Sequence, residues 1–103
     1  MSVLAEFTMF PTDKGESVSQ YVSRIVKLID ESGLNYKLTS MGTIMEARSM
    51  EEVTEVINKA YQLLETDCNR VYATIKIDVR KGEDNRIEGK IKSVEKKIGE
   101  IKK

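Results

Sequence analysis

Val71-Tyr72-Ala73-Thr74-Ile75-Lys76-Ile77-Asp78-Val79-Arg80 alternates without interruption. Val71, Ala73, Ile75, Ile77 and Val79 fall on one side, and Tyr72, Thr74, Lys76, Asp78 and Arg80 on the other. Such a period of two predicts a half-buried strand, because successive side chains point to opposite faces of a sheet. The same period runs from Val3 to Phe10, where Val3, Ala5, Phe7 and Met9 oppose Leu4, Glu6, Thr8 and Phe10. Pro11 ends that strand by removing a backbone donor.

Between these two strands the period changes. Thr12-Asp13-Lys14-Gly15 reads as a loop, and Ser17-Val18-Ser19-Gln20 fits a capping box,. The helix after it spaces Val18, Tyr21, Val22, Ile25, Leu28 and Ile29 along one face, and Gly33 supplies a left-handed stop. Tyr36–Ser40 and Thr43–Ala47 flank Met41-Gly42 and predict a hairpin,. A second helix opens at Ser49-Met50-Glu51-Glu52, has Met50, Val53, Val56, Ile57, Ala60, Leu63 and Leu64 as its apolar positions, and frays near Thr66-Asp67. Beyond the polar break Lys81–Asn85, residues Ile87, Ile91, Val94, Ile98 and Ile101 recur every three or four positions, an apolar stripe on a tail helix over 86–103.

The resulting order is strand, helix, strand, strand, helix, strand and an extra helix. Two halves of this kind pack as an α+β, ferredoxin-like βαββαβ sandwich: a four-stranded antiparallel sheet with two helices on one face, plus the C-terminal helix. The first and third strands are central. Val3, Ala5, Phe7, Val71, Ala73, Ile75 and Ile77 are expected under the helices, joined by Thr43, Met45 and Ala47. Leu4, Glu6, Thr8, Phe10, Tyr72, Thr74, Lys76 and Asp78 are expected on the open face, with Ile44, Glu46 and Arg48.

Composition narrows the chemistry. The 103 residues fit one domain, 1–103,. Seventeen basic and seventeen acidic side chains balance overall. Residues 86–103 nevertheless carry seven basic and three acidic groups, leaving the tail at +4 and the body at −4. Neutrality argues against a general nucleic-acid or membrane binder. The absence of His excludes His-based triads and imidazole metal sites, and the single cysteine, Cys68, cannot form an internal disulfide,. Together with an N-terminus unlike a signal peptide and no long apolar run, this predicts a cytoplasmic protein.

The open face mixes large apolar groups with Glu6, Glu46, Thr8, Thr74 and Lys76. A face left to water is usually more uniformly polar, and a sealed one does not carry two carboxylates. The expected solution is a second subunit over this face, trapping a few polar groups.

Several segments then carry a resemblance. They are Ala5-Glu6-Phe7-Thr8-Met9-Phe10-Pro11, Ser19-Gln20-Tyr21-Val22, Ser32-Gly33-Leu34-Asn35-Tyr36, Met41-Gly42-Thr43-Ile44-Met45-Glu46, Arg70-Val71, Ile75-Lys76-Ile77-Asp78-Val79-Arg80 and Lys92-Ser93-Val94-Glu95. In their order and spacing the chain resembles the small thiamine-binding proteins of ferredoxin-like fold. The resemblance implies a homo-oligomer, a homodimer or a tetramer built from two dimers whose sheets face one another. It also implies a site for thiamine or its pyrimidine moiety near a subunit interface, with thiamine as ligand and no other cofactor. Thr43 and Glu46, in Gly42-Thr43-Ile44-Met45-Glu46, are the positions it marks. Strand geometry adds Glu6, Thr8, Tyr72 and Lys76. A carboxylate such as Glu46 accepts from the aminopyrimidine, and Tyr72 or Phe10 stacks on a flat or cationic ring.

Each residue has a plainer reading beside this one. Glu46 can pair with Lys76 or Arg48, Glu6 with Lys76 across strands, and Thr43 can be a strand former beside a turn. An RNA-recognition module shares the strand order but needs basic and aromatic residues on the central strands, where this chain has Glu6 and Glu46. A small ferredoxin-like enzyme is open through Glu46 or Lys76 as a base, although no nucleophile–base pair stands out. The expectation is therefore a non-catalytic binding protein, its alternatives being that enzyme or an oligomeric regulatory or scaffold domain sensing another metabolite. No nucleic acid or membrane partner is expected.

Overall fold

The computed structural model describes residues 1–102. Its elements are β1 (Ser2–Pro11), α1 (Ser19–Glu31), β2 (Asn35–Thr39), β3 (Gly42–Ala47), α2 (Met50–Glu65), β4 (Val71–Arg80) and α3 (Arg86–Ile98). The strands form one antiparallel sheet in the order β2-β3-β1-β4. This is the expected ferredoxin-like arrangement, with β1 and β3 central.

The core follows from period two meeting the helical period. Val3, Ala5, Phe7 and Met9 of β1 and Met45 and Ala47 of β3 are buried against Ile25 and Ile29 of α1 and Val53, Val56, Ala60 and Leu64 of α2. Each large side chain fully buried there contributes about 1.5–3 kcal/mol. The second helix begins as its sequence predicts: Glu52 N–H donates to Ser49 Oγ at 3.2 Å, and the Glu52 carboxylate accepts from Arg48 N–H at 3.1 Å. Gly33 follows α1 at φ +80°, the left-handed conformation expected of it.

Three expectations change. The capping box at Ser17 does not form: α1 starts at Ser19, with Val18 at its N-cap and no side-chain cap. The Val18 carbonyl already accepts from the Tyr21 and Val22 N–H groups, which leaves Ser17 outside the first turn.

Beyond Val71, which is half-buried against the core, the apolar side of β4 is not under the helices. Ile75, Ile77 and Val79 are 44%, 38% and 46% exposed. The two helices pack on β1, β2 and β3 and stop short of the edge strand.

The open face is partly filled by the chain's own tail. Helix α3 packs on β3 and β1 there, so no second subunit is needed over that part. The helix ends at Ile98 rather than 103, at Gly99 with φ +93°; Lys103, expected in it, lies outside the described residues. Its stripe is only half used: Ile87 and Ile91 are half-buried, while Val94 and Ile98 are exposed.

Candidate functional site

The polar residues singled out in the sequence divide between the two ends of the sheet. Glu46 and Thr43 lie three residues apart on β3, so they sit about 10 Å apart and on opposite faces.

At the Glu46 end the carboxylate, the Ser2 hydroxyl and the Arg86 guanidinium engage one another. The Ser2 hydroxyl donates to Glu46 Oε2 at 2.5 Å, and Arg86 N–H donates to the same oxygen at 3.0 Å. Ile87 N–H reaches Glu46 Oε1 at 3.4 Å. Glu46 thus caps α3, where a carboxylate meets unpaired N–H groups and the positive end of the helix dipole. The Arg86 side chain, 4% exposed, donates from Nε to Ser2 Oγ and from Nη2 to the Ser2 and Asp78 carbonyls. Its Nη1 lies 2.9 Å from Asp78 Oδ2. Burial pushes the Glu46 carboxyl up, but the Ser2 hydroxyl, the two N–H donors and the Arg86 charge more than offset it, holding it below its usual value. Burial likewise pushes Asp78 up, while Arg86 and Lys90 bring it below the usual range. An open trough of about 800 Å³ borders Glu46, Arg48 and Glu52. Both of its glutamates are committed to helix starts, while Asn35, Arg48 and Asp84 complete its polar lining.

The Thr43 end is different. A cavity of about 210 Å³ lies between the first turns of α1 and the β2–β3 turn. Phe7, Met9, Phe10, Val22 and Ile25 give it apolar walls, and Thr43 lines it from β3. Thr43 is 5% exposed, and its hydroxyl has no hydrogen-bond partner among the described residues. No buried side-chain nitrogen or oxygen among the described residues lacks a partner, so this hydroxyl keeps some exposure and borders the cavity, where an occupant can reach it. Thr8 borders the same cavity, but its hydroxyl is engaged with the Met41 carbonyl at 2.7 Å.

Gly42 makes that contact possible. A Cβ at Gly42 would stand 2.6 Å from Thr8 Oγ1 and 3.2 Å from the Phe7 carbonyl. Its φ is ordinary, so glycine is needed here for close approach rather than for turn conformation.

The other expected residues meet neither end. Glu6 and Lys76 form a cross-strand ion pair of 3.7 Å on the open face, with the lysine 84% exposed. Tyr72 is exposed and rests on Phe10, ring centroids 5.8 Å apart. The structure therefore brings Thr43 and Thr8 together and leaves Glu46, Glu6, Lys76 and Tyr72 elsewhere. Sequence reasoning missed Ser2 and Arg86 as partners of Glu46. It also missed the cavity, for which Gly42-Thr43 between two strands was the only signal.

Comparison with known proteins agrees with this architecture. The profile described as "Thiamine-binding protein" matches residues 5–95. A UPF0045 protein of Methanocaldococcus jannaschii is 34% identical over 92 residues, 89% of this chain and 91% of that one. A UPF0045 protein of Methanothermobacter thermautotrophicus is 34% identical over 98 residues, 93% and 99% of the two chains. The crystal structure of the M. jannaschii protein superposes with a TM-score of 0.81 at 33% identity, covering 90% of this chain and 95% of the other. A Thermotoga maritima protein proposed to act in thiamine biosynthesis or salvage superposes at 0.78 over 91% and 99%, with 20% identity, a likeness of fold. By these matches the chain belongs to the thiamine-binding protein family.

Proposed function

We propose that this protein binds thiamine, through its pyrimidine moiety, in the cavity at Thr43, without transforming it, and that it works as a homo-oligomer. The observation that carries the reading is the Thr43 hydroxyl, which has no hydrogen-bond partner among the described residues and is accessible at the wall of an apolar cavity. Family membership supplies the ligand class.

Size and lining support one ring rather than a larger molecule. Pockets for drug-sized ligands run to about 300–1,000 Å³, and this one has about 210 Å³. A hydroxyl both donates and accepts, and so answers either the exocyclic amine or a ring nitrogen of an aminopyrimidine. The Phe7 ring, on the same face of the sheet as Thr43, suits a flat heterocycle,. Leu38 and Met41, exposed beside the cavity, offer apolar surface to the thiazolium portion. The lining has no carboxylate, amine or imidazole to serve as an acid or base, which favours binding over turnover,.

Calorimetric titration with thiamine, 4-amino-5-hydroxymethyl-2-methylpyrimidine and thiamine diphosphate tests the reading. Thiamine and the free pyrimidine are expected to bind at sub-millimolar concentration. No heat from any of the three would overturn it.

A further inference from the structure

We infer that Asp30, near the end of α1, reads the positive charge of the ligand's thiazolium ring, in a groove that continues the Thr43 cavity between α1 and β2. The inference rests on the thiamine reading above and adds to it the residue that distinguishes thiamine from its neutral pyrimidine.

Cavity and groove are continuous. Val22 and Val26 of α1 and Leu38 of β2 line both. The groove, of about 580 Å³, runs on past Ser23 and Lys27 to Asp30 and Tyr36. Val22, Val26 and Asp30 are spaced four apart, so they stand one above another on a single helix face. Across from them Leu38 pairs directly with Thr43, and Tyr36 with Met45. Leu38 and Tyr36 therefore share the helix-side face of β2, with Tyr36 about 7 Å farther along the strand. One line leads from the Thr43 hydroxyl, past Leu38, to the Asp30–Tyr36 pair.

The ligand has the same layout. Its thiazolium is joined to the pyrimidine by one methylene, so the charge lies one ring beyond the group held at Thr43. The cavity is lined by no charged side chain and gives that cation nothing to answer it. Asp30 answers it in the groove.

The Asp30 carboxylate is oriented but not neutralised. The Tyr36 hydroxyl donates to its Oδ1 at 2.7 Å, and no lysine or arginine pairs with it among the described residues. Lys27, which also lines the groove, is paired with Glu31 at 3.9 Å. The hydrogen bond to Asp30, with burial and the carboxylate's charge, pushes the Tyr36 hydroxyl up, so it stays a donor. Position adds to charge. A carboxylate in the last turn of a helix meets the negative end of the dipole, which costs stability there. The last turn of α1 carries no basic residue to offset it. Such a departure from local preference marks positions kept for function, and the same helix end favours a cation in the groove.

Calorimetry on the full chain, with thiamine and with 4-amino-5-hydroxymethyl-2-methylpyrimidine, tests this. Asp30→Asn keeps an acceptor for the Tyr36 hydroxyl and removes the charge. Its affinity for thiamine is expected to fall about threefold, the scale of a solvent-exposed ion pair, while its affinity for the neutral pyrimidine stays unchanged. Asp30→Lys is expected to weaken thiamine further and again to spare the pyrimidine. Salt at about 0.5 M is expected to remove most of the difference between wild type and Asp30→Asn.

Wild type that binds neither compound would overturn the thiamine reading and this inference with it. Wild type that binds both, with Asp30→Asn binding thiamine undiminished, would overturn the role of Asp30 alone. An equal loss of both compounds in Asp30→Asn would overturn it too, because a group that reads the thiazolium charge leaves the pyrimidine untouched.

Discussion

The two ends of β3 handle polar groups in opposite ways. At the Glu46 end, a carboxylate, a hydroxyl and a buried guanidinium satisfy one another and tie the tail helix to the sheet. At the Thr43 end, a hydroxyl borders an apolar cavity, accessible and without a partner among the described residues. Similar polar side chains on one strand thus do different work. The satisfied set holds structure, and the unsatisfied group is free for a ligand.

The comparison can be broken most forcefully at Arg86. Removing one member of a buried charge network costs about 3–5 kcal/mol, so Arg86→Ala is expected to lower the unfolding free energy in urea by about that much. The folded fraction should bind ligand as before. A loss below about 1 kcal/mol would mean that the network does not hold the tail.

Glu46→Gln comes next, with an expected loss of about 1–3 kcal/mol near neutral pH. Its pH dependence sharpens the assignment. The folded-state value of Glu46 lies below its ordinary 4.5. The stabilisation it supplies is therefore fully present above the unfolded value and is lost as pH falls through the depressed native one. The gap between wild type and Glu46→Gln, measured by urea unfolding, should be widest above about pH 5 and shrink under acid. A gap that grows on acidification would contradict the cap.

Gly42→Ala should cost about 1 kcal/mol, the value of the Thr8–Met41 hydrogen bond that the new methyl displaces. Thermal unfolding reads it. No change at all would mean that Thr8 moves aside freely and that the turn does not shape the cavity wall.

Much of this structure was legible in the sequence, and the limits have physical causes. Alternation in Val3–Phe10 and Val71–Arg80 marked two strands, because strand facing is a local property. The second helix was equally plain, since Ser49 and Glu52 cap it with groups three residues apart. Helix α1 was placed one residue early because a serine suits an N-cap wherever the chain turns in, and the Val18 carbonyl decided the matter. The partners of Glu46 were not legible: Ser2 and Arg86 lie 44 and 40 residues away, and a lone arginine at a helix start gives no sign of burial. The exposure of Ile75, Ile77 and Val79 was equally hidden, because alternation reports which side chains share a face and not whether a helix reaches across it. Thr43 was marked by its neighbours Gly42 and Glu46, yet only packing shows that its hydroxyl borders a cavity without a partner among the described residues.

The central claim is that the ligand meets Thr43 and not Glu46. Calorimetry with thiamine and its free pyrimidine, on wild type, Thr43→Val and Glu46→Gln, tests it most directly. Thr43→Val keeps the shape and removes one hydrogen bond, so affinity should fall about fivefold, in line with the ~1 kcal/mol value of such a bond. Stability should change little. Glu46→Gln, compared per folded molecule, should bind as wild type does. Undiminished binding by Thr43→Val together with a large loss in folded Glu46→Gln would contradict the account.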